Sequence, residues 1–179
     1  MLERIIISGF GGQGIMLIGR LLAYAGMIEG KKVAWMPSYG PEMRGGTANC
    51  TVLISSEEIG SPIVSHPKIL IAMNQPSLDK FESKVSKGGL IILNASLIEH
   101  EIKRDDVKVI KIPADEIADK LGNSRAANMV ILGAYVEQSR IVKMDTIFKA
   151  LEKALVGRNQ TLLEINKEAL KQGAKLAKS

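Results

Sequence analysis

A loop dense in glycine, residues 9–14 (GFGGQG), separates an apolar run from a helical pattern near the start of the chain. Glycine has no Cβ, so such a loop lets another backbone or a bound group come very close. The helix that follows points its free N–H groups and the positive end of its dipole at the same place, which favours an anion. A strand, a glycine-rich turn and a helix in this order indicate an α/β domain.

The glycine spacing alone does not make this loop a dinucleotide site. Gly9, Gly11 and Gly14 match G-x-G-x-x-G, but that fingerprint also needs an acidic side chain at the end of the second strand, to bind the ribose hydroxyls. The sequence there is Trp-Met-Pro at 35–37. Glu29 is at about the right distance along the chain but ends the preceding helix. NAD or FAD binding is therefore disfavoured.

The same loop also fails the requirements of a nucleotide-hydrolysing P-loop. Gly9 and Gly14 have the G-x-x-x-x-G spacing, yet Ile15 and Met16 stand where Lys and Ser or Thr must reach phosphate and magnesium. Two interpretations remain: a tight turn with close packing, or a loop that meets a phosphate, a pyrophosphate or a neighbouring subunit's backbone. In the second, Gln13 faces whatever docks there. The candidate binding residues of this loop are Gly11, Gly12, Gln13 and Gly14.

A second constellation follows the second predicted strand, at residues 37–47 (PSYGPEMRGGT). Prolines stiffen this segment and glycines allow close approach. The guanidinium of Arg44 is suited to clamp a phosphate or a carboxylate. The alternative is that Glu42 and Arg44 pair and only set the shape of the loop. The candidate binding residues here are Ser38, Tyr39, Glu42, Arg44, Gly45, Gly46 and Thr47.

Two amides, Asn74 and Gln75, directly follow the fourth predicted strand, so we expect them at the same sheet edge as the glycine loop. The alternative is that they cap the helix that begins near Pro76. Asn128 lies on an apolar helix, with Gly133 and Ala134 beyond it. We expect these residues to lie where helices pack closely or at an interface.

The order of strands and helices predicts one α/β domain over residues 1–179, with a three-layer α/β/α arrangement and a mixed, mostly parallel, Rossmann-like sheet. The join over 36–47 is short for a parallel crossover, so at least one strand pair should be antiparallel. Predicted strands are 4–8, 32–36, 49–54, 68–73, 90–93 and 107–112. Predicted helices are 12–29, 76–85, one from Pro113, 125–139, 145–156 and 161–177. Asp145 is the expected N-cap of the fifth helix, and Thr161 with Glu164 the expected capping box of the last.

Composition excludes several classes of function. One cysteine, Cys50, allows no internal disulfide and cannot alone hold an iron–sulfur cluster or a structural zinc. The net charge of +5 comes with few aromatic residues, which disfavours nucleic-acid binding. No signal peptide or membrane span is expected, so we predict a cytoplasmic protein. No catalytic or metal-ligand set stands out, and Cys50 is expected to be a buried structural thiol.

Three blocks in order resemble one family: the glycine loop, residues 37–50 (PSYGPEMRGGTANC) and residues 73–78 (MNQPSL). This family comprises the gamma subunits of the 2-oxoacid:ferredoxin oxidoreductases. The resemblance extends over essentially the whole chain. The middle block is the most specific of the three, and its sequence is most similar to that of the 2-oxoglutarate type. The branched-chain type follows, with the pyruvate and indolepyruvate types less similar.

The resemblance implies an α/β fold of the gamma, or domain III, type and a role in assembly and at the coenzyme A side of the site. It also implies partners, namely alpha and beta subunits, a small ferredoxin-like delta subunit and ferredoxin. Thiamine diphosphate with Mg²⁺, coenzyme A and [4Fe-4S] clusters would belong to the complex, and this chain alone is expected to bind none of them. The competing interpretations are a free-standing Rossmann-like nucleotide-binding module and an assembly subunit whose loops contact only protein.

Overall fold

The computed structural model describes residues 2–39, 47–157 and 159–178. The described strands are β1 (Leu2–Phe10), β2 (Lys32–Tyr39), β3 (Thr47–Ser55), β4 (Ile69–Ala72), β5 (Leu90–Asn94) and β6 (Lys108–Ile112). The described α-helices are α1 (Ile15–Ile28), α2 (Gln75–Phe81), α3 (Ala114–Lys120), α4 (Ala127–Ser139), α5 (Met144–Ala154) and α6 (Gln160–Ala177). Short 3₁₀ turns occupy Glu82–Lys84 and Ser124–Ala126.

The six strands form one mixed sheet in the order β2-β3-β1-β4-β5-β6. Strands β1, β4, β5 and β6 run parallel, whereas β3 pairs antiparallel with both β1 and β2. The expected mixed, mostly parallel sheet with an antiparallel pair is confirmed. The antiparallel strands are longer than predicted, because β2 and β3 form a hairpin whose ladder continues to Tyr39 opposite Ala48. Pairing with a neighbour thus extends strands into residues that local pattern assigns to a turn.

Helices cover the two faces of the sheet unequally, which gives the predicted three layers. Ile5 and Ile7 of β1 point into the larger core, formed with α1, α3, α4, α5 and α6. Ile6 points the other way, into a smaller core under α2. Helix α4 is the most deeply buried and packs closely along α6, where a Cβ on Gly133 would collide with the Leu170 carbonyl. This confirms the expectation of close helix packing on α4.

Two predicted helix caps are wrong: at α5 a distant carboxylate bonds the first turn, and at α6 a neighbouring asparagine caps the helix. Lys143, not Asp145, is the N-cap of α5, and the Glu29 carboxylate accepts the Lys143 N–H at 2.7 Å. Helix α6 begins one residue before Thr161, and the Asn159 side chain accepts the Thr161 N–H at 2.8 Å. Within the described part of the chain, no helix has both the length and the apolar character required to cross a membrane.

Candidate functional site

The glycine loop lies at the same edge of the sheet as the end of β2 and the start of β3. Phe10, the last residue of β1, pairs with Thr47, the first residue of β3. Strand β4 ends beside β1 at the same edge, where Ser8 pairs with Ala72. We call residues 11–14, Ser38, Tyr39, Thr47, Asn74 and Gln75 the rim. Long-range pairing therefore brings together candidate residues from all three sequence blocks.

Gln13 joins two of these blocks by three hydrogen bonds. Its Oε1 accepts the Phe10 N–H at 2.7 Å and a proton of Asn74 Nδ2 at 3.1 Å, and its Nε2 donates to the Met73 carbonyl at 3.2 Å. The amide is turned inward, so the expectation that Gln13 faces a docked group is wrong. Gln13 positions the glycine loop against the end of β4.

A buried polar network continues from Gln13 under the rim. Asn74 is the N-cap of α2, and its Oδ1 accepts the Ser77 N–H at 3.0 Å. The Ser77 and Ser8 hydroxyls lie 2.9 Å apart, and all three side chains are buried. Asn74 is therefore both the cap that the alternative predicted and a direct partner of Gln13. Sequence reasoning missed Ser8 and Ser77; the one signal for Ser8 is its hydroxyl after a run of three isoleucines.

The start of α1 offers uncompensated positive charge. Gly14 is its N-cap with φ +73° and has no side chain with which to cap the helix, and no acidic residue lies in its first turn. Asn128 of α4 packs where a Gly14 Cβ would stand, and its Nδ2 donates to the Gly14 carbonyl at 3.3 Å. Its Oδ1 is buried with no hydrogen-bond partner among the described residues. Both the φ angle and the contact require glycine here, and the free helix end suits an anion.

The other candidates are less connected. Gly11, Gly12 and Ser38 are exposed, whereas Gln75 bonds Asp79 at 2.7 Å and accepts the His100 N–H at 3.4 Å. The Gln75 amide therefore joins its own helix to the segment around His100. Four candidates lie outside the described residues: Glu42, Arg44, Gly45 and Gly46.

The residue expected to bind a ribose in a dinucleotide fold is absent from its usual place. Strand β2 passes through Trp35, Met36 and Pro37 with no carboxylate, as the sequence indicated. Glu29 caps the C-terminal end of α1, at the end opposite the glycine loop, and is occupied by Lys143. The geometry therefore favours an anion at the rim over a complete dinucleotide site.

The single thiol is a core group. Cys50 is fully buried under α1, where its Sγ lies 3.7 Å from the Ile15 carbonyl. Burial raises the pKa of the Cys50 thiol to about 12, so it stays protonated and unreactive at neutral pH. This confirms its expected structural role. Among the described residues, no three His, Cys, Asp or Glu side chains cluster as a metal site would require.

Comparison with protein families gives a match over nearly the whole chain. The family model described as pyruvate ferredoxin/flavodoxin oxidoreductase matches residues 4–176. The ketoisovalerate oxidoreductase subunit VorA of Methanothermobacter thermautotrophicus is 39% identical over 98% of this chain, which spans only 36% of that relative. The 2-oxoglutarate synthase subunit KorC of Methanocaldococcus jannaschii is 36% identical over 84% of this chain and 82% of its own length.

Solved structures agree with the fold and the family. The gamma subunit of a keto/oxoacid ferredoxin oxidoreductase from Geobacter sulfurreducens superposes with a TM-score of 0.84 at 27% identity, over 98% of both chains. A second structure is the 2-oxoglutarate:ferredoxin oxidoreductase from Magnetococcus marinus with 2-oxoglutarate, coenzyme A and succinyl-CoA bound. It superposes with a TM-score of 0.91 at 26% identity, over 99% of this chain and 31% of that chain. The chain belongs to the pyruvate ferredoxin/flavodoxin oxidoreductase family and is of the gamma-subunit type.

Proposed function

We propose that this chain is the gamma subunit of a thiamine diphosphate-dependent 2-oxoglutarate:ferredoxin oxidoreductase. The complex would convert 2-oxoglutarate, coenzyme A and oxidised ferredoxin to succinyl-CoA, CO₂ and reduced ferredoxin. The chain would contribute to assembly and form the coenzyme A side of the site. The observation that carries the proposal is the pairing of Phe10 with Thr47, which brings the glycine loop and the start of β3 to one rim. The related Magnetococcus structure with coenzyme A bound supports it.

The rim offers binding groups rather than catalytic ones. The N–H groups at Gly12–Gly14 and the free end of the α1 dipole suit a phosphate of coenzyme A. Arg44, whose segment is joined to β2 and β3, would add the positive charge of its guanidinium. The carbon chemistry would come from thiamine diphosphate with Mg²⁺ in the alpha and beta subunits. [4Fe-4S] clusters in other subunits, including a small ferredoxin-like delta subunit, would carry electrons to ferredoxin.

The choice of 2-oxoglutarate as the substrate rests on the sequence of residues 37–46 and on KorC relatives of similar length. The VorA relative has similar identity, so a branched-chain 2-oxoisovalerate oxidoreductase is the nearest alternative and a pyruvate enzyme the next. Both alternatives leave the role of this chain unchanged, since substrate selection would belong mainly to other subunits.

A free-standing Rossmann-like nucleotide-binding module is the main alternative of another class. It is disfavoured because β2 carries no carboxylate at the ribose position and Glu29 lies at the far end of α1. An assembly subunit whose loops contact only protein is the other alternative. Binding of coenzyme A at the rim of the assembled complex separates it from our proposal.

The first experiment is purification of the tagged chain from its native cell extract under mild, oxygen-free conditions. We expect alpha and beta subunits in the eluate, in the cytoplasmic fraction, and coenzyme A-dependent oxidation of 2-oxoglutarate with ferredoxin as acceptor. The isolated chain should be inactive. Parallel assays with 2-oxoisovalerate and pyruvate identify the substrate. Recovery of the chain alone, with NAD retained, would instead support the dinucleotide-binding module.

The first variant to make in that complex is Arg44→Ala. We expect the KM for coenzyme A to rise about 10-fold or more, because loss of one charge-assisted phosphate contact costs about 1.5–3 kcal/mol. Arg4→Ala is the matched control, since Arg4 is exposed at the opposite end of β1. Steady-state kinetics and native mass measure the two variants. Unchanged kinetics together with an unchanged complex mass would contradict a role for Arg44.

A further inference from the structure

A groove of about 320 Å³ lies between α1 and α5. Helix α5 begins beside the end of α1, where the Glu29 carboxylate accepts the Lys143 N–H, and returns along α1. Sites for small molecules are typically clefts of about 300–1,000 Å³. The groove is therefore large enough for a small ligand. Its described lining consists of Leu17, Arg20, Leu21, Tyr24, Ala150, Lys153 and Ala154.

The walls of the groove are apolar and unequal in height. Leu17 and Leu21 are one turn apart on α1, and Ala150 and Ala154 are one turn apart on α5. Because alanine is short, the α5 wall is low and space remains between the two helices. The α1 wall from Leu17 to Tyr24 is about 10 Å long. The walls therefore suit an extended chain of apolar groups.

Two exposed cations, Arg20 and Lys153, stand at this apolar surface. Arg20 is the only charged residue of α1, whereas helices at a protein surface usually carry several charges on their outer side. Lys153 Nζ lies 2.6 Å from the Tyr24 hydroxyl and 4.9 Å from the centre of its ring. Neither cation contacts a carboxylate among the described residues. The positive charge at the groove thus has no counter-ion there.

The nearby carboxylates have partners outside the groove. Glu152 of α5 is bonded by Lys167 of α6 at 2.6 Å. Glu29, beyond the end of α1, accepts the Lys143 N–H and is paired with Lys31. No acidic side chain belongs to the described lining. The groove is therefore complementary to an anion and disfavours a cation.

We propose that the α1–α5 groove binds a small amphipathic carboxylate. Its methylene chain, of about eight carbons, lies along the apolar walls, where burial of each methylene favours binding. The Arg20 guanidinium and the Lys153 ammonium bind the carboxylate by charge-assisted hydrogen bonds. Lys153 is only a donor, so the Tyr24 oxygen accepts from it and the Tyr24 hydroxyl proton remains for the carboxylate. A single negative charge is favoured, because two exposed cations beside apolar walls compensate poorly for the desolvation of a dianion.

This site is separate from the rim. Leu17, where the groove starts, follows Gly14 by almost one turn of α1, and the rest of the lining lies farther along that helix or on α5. The inference therefore goes beyond the proposed function and does not depend on it. A carboxylate in the groove leaves the first N–H groups of α1 available to a different anion.

Titration of the ¹⁵N-labelled chain with octanoate, followed by NMR, tests the site. We expect saturable shifts of backbone amides along the facing sides of α1 and α5, including those of Leu21 and Ala150. Octanol, which has no charge, should bind at least 10-fold more weakly. Butyrate should also bind at least 10-fold more weakly, since each buried methylene contributes about fourfold to affinity.

Variants identify the groups that bind the probe. Arg20→Gln and Lys153→Gln should each weaken octanoate binding at least fivefold, because each removes one charged donor. Lys149→Gln is the matched control, since Lys149 is exposed one turn before Lys153 and does not line the groove. Ala154→Leu fills the groove and should abolish saturable binding. Its unfolding midpoint should stay that of the wild type, because Ala154 is exposed.

The same probe is then applied to the purified complex. We expect a saturation-transfer NMR signal from octanoate with the wild-type complex and none with the Ala154→Leu complex. Equal binding of octanol and octanoate, or unchanged affinity in both glutamine variants, overturns the inference. Binding to the isolated chain but not to the complex also overturns it, since another subunit then covers the groove. A chain that binds octanoate but recovers no alpha or beta subunits contradicts the proposed function alone.

Discussion

Gln13 lies in a turn, yet its amide bonds three groups from two separate parts of the chain. Gln13→Ala leaves the Met73 carbonyl and the Phe10 N–H without these partners. We expect a loss of about 1–3 kcal/mol in the free energy of unfolding, since partly buried groups lose their hydrogen bonds. The KM for coenzyme A should also rise in the complex, because the loop loses its anchor.

Gln75→Ala is the matched control for Gln13, since it removes an amide of the same size from the same edge. Its bonds go to Asp79, in its own helix, and to the His100 N–H, both exposed contacts. We expect a change of less than about 0.5 kcal/mol, as for ordinary surface substitutions. Urea unfolding measures both variants. Equal effects of the two substitutions would contradict a positioning role for Gln13.

Glu29 is the residue at which stability should depend on acidity. Burial opposes its ionisation, but hydrogen bonds from the Lys143 N–H, Lys31 and Thr146 outweigh burial and hold the pKa of the Glu29 carboxyl below its usual range. A carboxyl whose pKa is lowered by folding stabilises the protein above its unfolded-state pKa. That contribution is lost as pH falls through the folded-state pKa.

The corresponding variant is Glu29→Gln, compared with the wild type by urea unfolding from about pH 7 down to pH 3. At neutral pH we expect the variant to be less stable by about 1.5–3 kcal/mol, the usual contribution of hydrogen bonds to a charged group. The difference should shrink below the ordinary glutamate pKa of about 4.3. A difference that stays constant with pH would show that ionisation of Glu29 does not contribute.

At the scale of elements, the α4–α6 pair depends on close backbone approach. A Cβ on Gly133 would collide with the Leu170 carbonyl, and one on Gly173 with the Val130 carbonyl. Backbone atoms cannot move aside as a flexible side chain can, so the helices must separate. Gly133→Ala should therefore lower the free energy of unfolding by about 1–3 kcal/mol or more, although alanine favours helices.

Gly60→Ala is the control for this prediction, because the space around a Cβ there is open and Gly60 lies outside the helices. We expect it to change stability by less than about 1 kcal/mol. Urea unfolding of both variants at the same pH compares them. If Gly133→Ala is as stable as the wild type, the two helices are not held at the distance that the structure shows.

At the scale of the whole molecule, Cys50 reports global unfolding. It is the only cysteine of the chain, lies in the core under α1 and has a pKa raised by burial to about 12. We expect a thiol reagent such as DTNB to label no group in the native protein within minutes. One thiol per chain should react in about 6 M guanidinium chloride. Rapid labelling of the native protein would show that the core around β3 opens locally.

The elements were largely predictable, whereas several of their hydrogen-bond partners were not. Six strands and six helices, the buried thiol and the antiparallel pair followed from hydrophobic periodicity, glycine and proline positions and loop length. The caps of α5 and α6 and the direction of the Gln13 amide did not. At α6 the capping group is local, since Asn159 lies two residues before Thr161, but the other two cases have distant partners. The Lys143 N–H is bonded by Glu29, and Gln13 by Asn74, which are far away in sequence. Such partners are not visible in a local pattern.

What the sequence determined by itself is the order of the elements and the chemistry of the three blocks, because both depend on neighbouring residues. What only the tertiary structure decided is where those blocks meet. Placing β3 antiparallel between β2 and β1 puts Thr47 beside Phe10 and puts β2 at the edge of the sheet, where Met36 is exposed. The reason is physical: strand order and register are chosen by burial of the whole sheet, a property that no single segment carries.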